Sequence, residues 1–156
     1  MSGPGRRAVE IAREWVGTPY VHQGSTQGAG ADCLGLVRGV WRALYGAEPE
    51  AAPPYTADWG EVGATEPLMA AALRNLVPVE PGAPPEDGEV LLFRMREGAV
   101  AKHLGIRAHA GEAQSFIHAY DRHGVVESPL SAPWRARIAG RFRWPLPPRP
   151  RGGAGN

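Results

Sequence analysis

The 156-residue chain contains one cysteine. That excludes an internal disulfide and a zinc cluster built on several thiolates. No stretch reaches the ~18 uninterrupted apolar residues of a membrane span, so none is expected. Charge of one sign is not in excess either: 17 Lys and Arg stand against 16 Asp and Glu, a net +1. General nucleic-acid binders carry a strong basic surplus, so nucleic acid is not an expected partner. No apolar signal-peptide core follows the basic residues of "MSGPGRRAVEIAREWVG". The chain is therefore expected to be made in the cytoplasm without a secretion signal of its own.

What is present is ordinary for a globular domain: 43% hydrophobic and 21% charged residues. Domains commonly run ~100–150 residues, so one domain over 1–146 is expected. The last ten residues, "PPRPRGGAGN" (147–156), read as a disordered tail. Glycine and proline are abundant, 21 and 16, and concentrate in connectors. No internal repeat is visible.

Residues 6–16 place Val9, Ala12, Trp15 and Val16 at helical spacing, with Gly17 as a stop. A Gly/Ser/Thr-rich loop leads to a second helix near Asp32, striped by Leu36, Val37, Val40, Trp41 and Leu44 and ended by Gly46. A third helix is predicted from about Thr65 to Val77, with Leu68, Met69, Ala72, Leu73 and Leu76 on one side. Beyond a Pro-rich connector the period changes. Short β-rich runs follow at 89–95, 100–109, 114–120, 124–128 and 139–144. Helices first and strands afterwards indicate an α+β domain, its helices packed on a central antiparallel sheet.

The lone thiol, Cys33, stands in "GAGADCLGLV" at the predicted start of the second helix. The positive end of the helix dipole and unpaired N–H groups there favour a thiolate. The same N–H groups would donate to an oxyanion on a substrate carbonyl. Free cysteines are commonly inert core residues, but such a residue has no use for this placement.

A nucleophile needs a base, and there are five histidines: His22, His103, His109, His118 and His123. If 100–109 and 114–120 form a hairpin turning at Ala110-Gly111, His103 and His118 lie directly opposite one another. A turn at Gly111-Glu112 makes them diagonal, still on one face. The pair suits a base and its orienter. It equally suits a half-buried polar cross-strand pair, or a two-His-plus-Cys zinc site. His22 is expected in a solvated loop, and His109 and His123 beside turns. Arg135, Arg137, Arg141, Arg143, Arg149 and Arg151 cluster late in the chain and read as a solvated face. The glycines of "QGAGAD" lack the Lys-Ser/Thr ending of a phosphate loop.

Taken together, "GTPYVHQGSTQGAGADCLGLV", "DGEVLLFRM", "KHLGIRA" and "QSFIHAY" resemble, in order, the segments of the NlpC-type cysteine peptidases. The resemblance covers roughly residues 8–144 and implies a minimal papain-like fold. It implies Cys33 as nucleophile, His103 as general base and His118 as the residue that orients it. Tyr20 matches the tyrosine that lines the site and helps bind the oxyanion, and Asp32 the acidic residue before the cysteine. The implied substrate is a peptidoglycan stem peptide, cut at the D-γ-glutamyl-diaminopimelate bond, with no cofactor and no metal. Three features depart from the pattern: Leu34 for the usual serine, Glu89 for the usual aspartate, and an insert around 47–80. "DCLGLV" and the insert resemble the branch found in tails of phages and gene transfer agents. That implies tail-tip hub or fibre proteins as partners, a place in the particle tail, and action in the periplasm and cell wall. Two rivals accompany this reading. One is a structural tail or assembly protein with a vestigial site, the other a cysteine amidase or acyltransferase on the same fold.

Overall fold

The computed structural model describes residues 3–50 and 66–146. Residues 51–65 of the expected insert and the whole expected tail (147–156) lie outside the described residues. In chain order the elements are α1 (Pro4–Glu14), β1 (Ser25–Thr26), β2 (Gly30–Ala31), α2 (Cys33–Tyr45), α3 (Pro67–Asn75), β3 (Val77–Pro78), β4 (Val90–Arg94), β5 (Ala101–Ala110), β6 (Ala113–Tyr120), β7 (Gly124–Pro129), α4 (Ala132–Ala136) and β8 (Ile138–Arg143). This is the expected α+β arrangement. The six-stranded sheet runs β3-β8-β4-β5-β6-β7 with every pairing antiparallel, and β1-β2 form a separate ribbon.

The first helix starts earlier than its apolar pattern suggests, because Pro4 occupies the first turn, where its missing N–H costs nothing. Ala8, Ile11, Ala12 and Trp15 are buried, whereas Val16, past the helix end, is 46% exposed. The third helix is shorter than predicted. Pro78 cannot continue a helix, and Val77-Pro78 pair instead with Arg143 and Phe142 as an edge strand. Within α3 the buried positions are Leu68 and Ala72, one turn apart; Leu73 faces outward at 55% exposure. The helix α4 falls in "SAPWRA", which shows no apolar period.

Two layers of apolar contact flank the sheet. On one face Ala8, Ala12, Leu36 and Val40 from α1 and α2 pack against Val90, Leu92, Leu104, Ile106 and Ile117. On the other, Leu91, Phe93, Phe116 and Leu130 form a smaller cluster capped by Trp134 of α4. The alternation of a strand sends successive side chains to these two faces.

The departure at Glu89 has a packing reason. Its buried carboxylate accepts from Nε of Arg107 at 3.1 Å and from Nη2 of Arg141 at 2.8 Å. Arg141 also donates to the carbonyls of Glu80, Pro81, Ala83 and Pro84, holding the Pro-rich connector against the sheet. Arg141 is therefore 11% exposed and part of a buried network, not of a solvated arginine face. Arg143 pairs with Glu86 at 3.0 Å.

Candidate active site

Cys33 is the first residue of α2, and Asp32 is its N-cap. The Asp32 carboxylate accepts from the backbone N–H of Gly35 and of Gln23, each at 2.7 Å, so one side chain caps the helix and pins the preceding loop. That loop folds back onto the helix start. Ala31 N–H donates to Pro19 O, Val21 N–H to Ala31 O and Asp32 N–H to Gly24 O. Gly24 O lies so close that a Cβ on Gly35 would sit 1.7 Å from it. Glycine at position 35 of "DCLG" is a steric requirement of this contact. Tyr20 bridges to Ala31 in the same stitch and is brought beside the thiol.

The half-buried thiol of Cys33 lies against the backbone of β5, its Sγ 3.7 Å from Lys102 O. The helix dipole does not make it a thiolate at rest, contrary to the sequence expectation. Burial and the neighbouring Asp32 carboxylate push the thiol up to about 12, outweighing the N–H groups of Leu104, Leu34 and Cys33 that pull it down. Burial, with Cys33 and Asp32 adding to it, likewise pushes the Tyr20 phenol up to about 12. Tyr20 is thus a neutral O–H donor at neutral pH.

His103 and His118 are both buried, with Nε2 of His103 2.8 Å from Nδ1 of His118. The hairpin turns at Gly111-Glu112, since Ala110 pairs with Ala113 and Ile106 with Ile117. The two imidazoles are therefore diagonal neighbours and not directly opposed. Burial, then the neighbouring His118, lowers His103 to about 3; burial, then His123, lowers His118 to about 4. Both rings are neutral at rest. The bond between them leaves Nδ1 of His103 as the nitrogen available to a thiol proton, and Sγ lies against the residue preceding it. The arrangement can move a proton from sulfur to imidazole, with donors at a helix start for an oxyanion.

The sequence gives no sign of two further residues. Nε2 of His118 lies 2.9 Å from Oγ of Ser128 on β7. Trp134 packs its ring 5.7 Å from that of His103 and 5.4 Å from that of His118. Neither carries a local motif, and only the β6-β7 register and the seating of α4 bring them in. The remaining histidines stand apart. His109 is bonded to Asp87, His123 to Asp121 O at 3.0 Å, and His22 is 3.9 Å from Asp32 in the loop. Among the described residues no three His, Cys, Asp or Glu side chains are grouped to hold a metal ion.

A sequence-family model of the NlpC/P60 family matches residues 17–143, most of the chain and all of this site. The chain belongs to the NlpC/P60 family. It is similar to the murein DD-endopeptidase MepS/murein LD-carboxypeptidase of Escherichia coli, 30% identical over 132 residues, 84% of this chain and 58% of that protein. It is also similar to the gamma-DL-glutamyl hydrolase of Bacillus subtilis, 31% identical over 138 residues, 87% of this chain and 28% of that protein. The chain thus spans little more than half the length of the first relative and under a third of the second. Two solved structures share the fold. The NlpC/p60 domain of the peptidoglycan hydrolase SagA gives a TM-score of 0.56 at 24% identity, over 88% of this chain and 97% of that one. An NlpC/P60 family protein from Bacillus cereus gives 0.60 at 19% identity, over 92% and 40%.

Within the NlpC/P60 domain, Leu34 lines an apolar cleft between α2 and α3, with Val37, Trp41, Leu68, Val90 and Leu104. Where the motif resemblance implies a serine after Cys33, this chain has an aliphatic wall.

Proposed function

We propose that this NlpC/P60 chain is a cysteine endopeptidase that hydrolyses peptidoglycan stem peptides. The observation that carries the reading is a thiol at a helix start, lying against the strand that presents a buried, hydrogen-bonded imidazole pair. The Sγ proton passes to Nδ1 of His103 as sulfur attacks the substrate carbonyl carbon. The oxyanion takes hydrogen bonds from helix-start N–H groups and the Tyr20 phenol. The intermediate collapses with loss of the C–N bond, and the leaving amine takes the proton from His103. Water, deprotonated by His103, then attacks the thioester carbonyl; the acid is released and Cys33 is reprotonated. His118 orients His103, and Asp32 acts through the cap and the loop it pins.

The bond proposed is D-γ-glutamyl-diaminopimelate, supported by the motif resemblance and by the name of the Bacillus subtilis relative. The Escherichia coli relative is named for a different bond. Mass spectrometry of muropeptides released from purified peptidoglycan decides between them. Fragments ending in D-glutamate at the γ position support the proposal, and intact γ-glutamyl linkages in every product contradict it.

Leu34 after the nucleophile and the insert around 47–80 support carriage in a phage-like or gene transfer agent tail, bound to tail-tip proteins and acting in the periplasm and cell wall. Proteomics of purified particles tests this, and absence of the chain from them contradicts it. The apolar cleft at Leu34 also favours a second reading, an amidase acting on a substrate outside the wall. Inactivity on peptidoglycan together with labelling of Cys33 by an acyl-directed thiol probe would select it.

A further inference from the structure

We infer that Ser128 is a positioning residue that, by accepting from Nε2–H of His118, supports the tautomer pair that leaves Nδ1 of His103 free to act as base. The inference rests on the proposed roles of Cys33 and His103.

It follows from a hydrogen-bond chain with one consistent direction during turnover. When His103 takes the thiol proton it carries hydrogens on both nitrogens, and its Nε2–H must donate to Nδ1 of His118, 2.8 Å away. Nδ1 of His118 must then be bare, which puts the single proton of that ring on Nε2. The partner of Nε2 is Oγ of Ser128 at 2.9 Å, acting as acceptor. Reversed, the chain has Ser128 donating to His118 and His118 donating to His103, which leaves the remaining His103 proton on Nδ1, the nitrogen proposed to act as base. That form cannot accept the thiol proton.

Ring rotation offers no escape. His118 is 1% exposed, stacked on Phe116 at 4.0 Å between centroids and met edge-on by Trp134 at 5.4 Å. Trp134 also covers His103 at 5.7 Å and Phe93 at 5.3 Å. With both rings clamped, the proton position is the freedom left, and the hydroxyl at the end of the chain supplies the acceptor that the Nε2–H form of His118 needs. Ser128 lies on β7 opposite Phe116, so the strand register fixes its reach to His118. Burial keeps His118 well below its ordinary range, which holds it to one proton.

Threonine and valine at 128 differ by a hydroxyl in place of a methyl and suit a strand equally. For Ser128→Val, kcat on peptidoglycan peptides is expected to fall tenfold or more at unchanged KM. A positioned general base contributes ~10²–10⁴-fold, so a tenfold fall is a partial loss of it. Alkylation of Cys33 by iodoacetamide is expected to slow in parallel, and Ser128→Thr to restore both rates to within a few-fold, with the two variants melting together. Equal rates for the two variants would overturn the inference, as would rates that fall only in step with the melting temperature. ¹⁵N NMR of the wild-type imidazoles gives an answer that needs neither variant nor substrate. The inference expects His118 protonated on Nε2 and His103 bare on Nδ1, and the opposite pattern overturns it. Undiminished hydrolysis by a Cys33→Ala variant would instead refute the proposed function, while the NMR result would stand.

Discussion

Gly105 faces His118 across the β5-β6 ladder, and its missing side chain lets the imidazole of His118 lean diagonally to His103. One step along from the Ile106–Ile117 pair, a Cβ on residue 105 would lie 3.4 Å from Cβ of His118 and 2.7 Å from the ring of Phe116. A methyl group there presses on the ring that stacks against His118. Gly105→Ala is expected to cost about 1–3 kcal/mol, as overpacking of a filled core does. It should also lower kcat more than KM changes, because the imidazole pair is displaced. Thermal unfolding and steady-state kinetics on the same preparation check both.

Burial of the two imidazoles gives the fold an acid-sensitive limb. Their folded values, about 3 for His103 and about 4 for His118, lie below the ordinary value near 6.5. Below pH ~6.5 the unfolded chain binds protons that the folded chain refuses, so stability is lost as pH falls through 6.5 toward 4. The slope of unfolding free energy against pH over that window should shrink in a His103→Asn variant. An unchanged slope would contradict the burial of His103.

Glu89 works lower on the pH scale. Burial opposes its ionisation, but the hydrogen bond from Arg141, with the Glu86 N–H and the charges of Arg107 and Arg141, brings it below the usual carboxylate range. Its contribution is present above about pH 4.3 and lost as pH falls through the lower folded value. Removing the charge leaves two guanidinium groups unpaired against the sheet. Glu89→Gln is expected to destabilise by about 3–5 kcal/mol, read from denaturant unfolding at neutral pH.

Asp32 has two effects that substitution separates. As a cap it stabilises α2, and as a charge it helps keep the thiol protonated. Asp32→Ala loses both bonds and should cost about 0.5–2 kcal/mol for the cap alone, whereas Asp32→Asn can keep the cap to Gly35 but sets its NH2 against the Gln23 N–H, so it should fall between alanine and the wild type. Both remove the negative charge, so both should lower the thiol titration of Cys33. Thiolate absorbance against pH checks this: the wild type should show no step below about pH 9, and the variants an earlier one.

The features legible in the sequence are those carried by local pattern. Cys33 at a helix start, the apolar stripe of α2 and the one-faced placement of His103 and His118 follow from period and from turn chemistry. The turn takes the second of the two placements the sequence allows, because hairpin register depends on which two residues take the loop, and both options read equally well in "AHAGEAQ". Ser128 and Trp134 were illegible for a different reason. Their meaning comes from long-range seating, β7 beside β6 and α4 over the second sheet face, which no local spacing encodes. The protonated resting thiol was missed because the dipole is a local property and desolvation is a global one. The network of Glu89 with Arg107 and Arg141 joins the residue before β4 to β5 and β8 and leaves no trace in composition.

The most direct test of the account is digestion of purified peptidoglycan by Cys33→Ala beside the wild type, at equal folded concentration. The account predicts release of muropeptides by the wild type and none above background by the variant. Digestion by Cys33→Ala at the wild-type rate would contradict it.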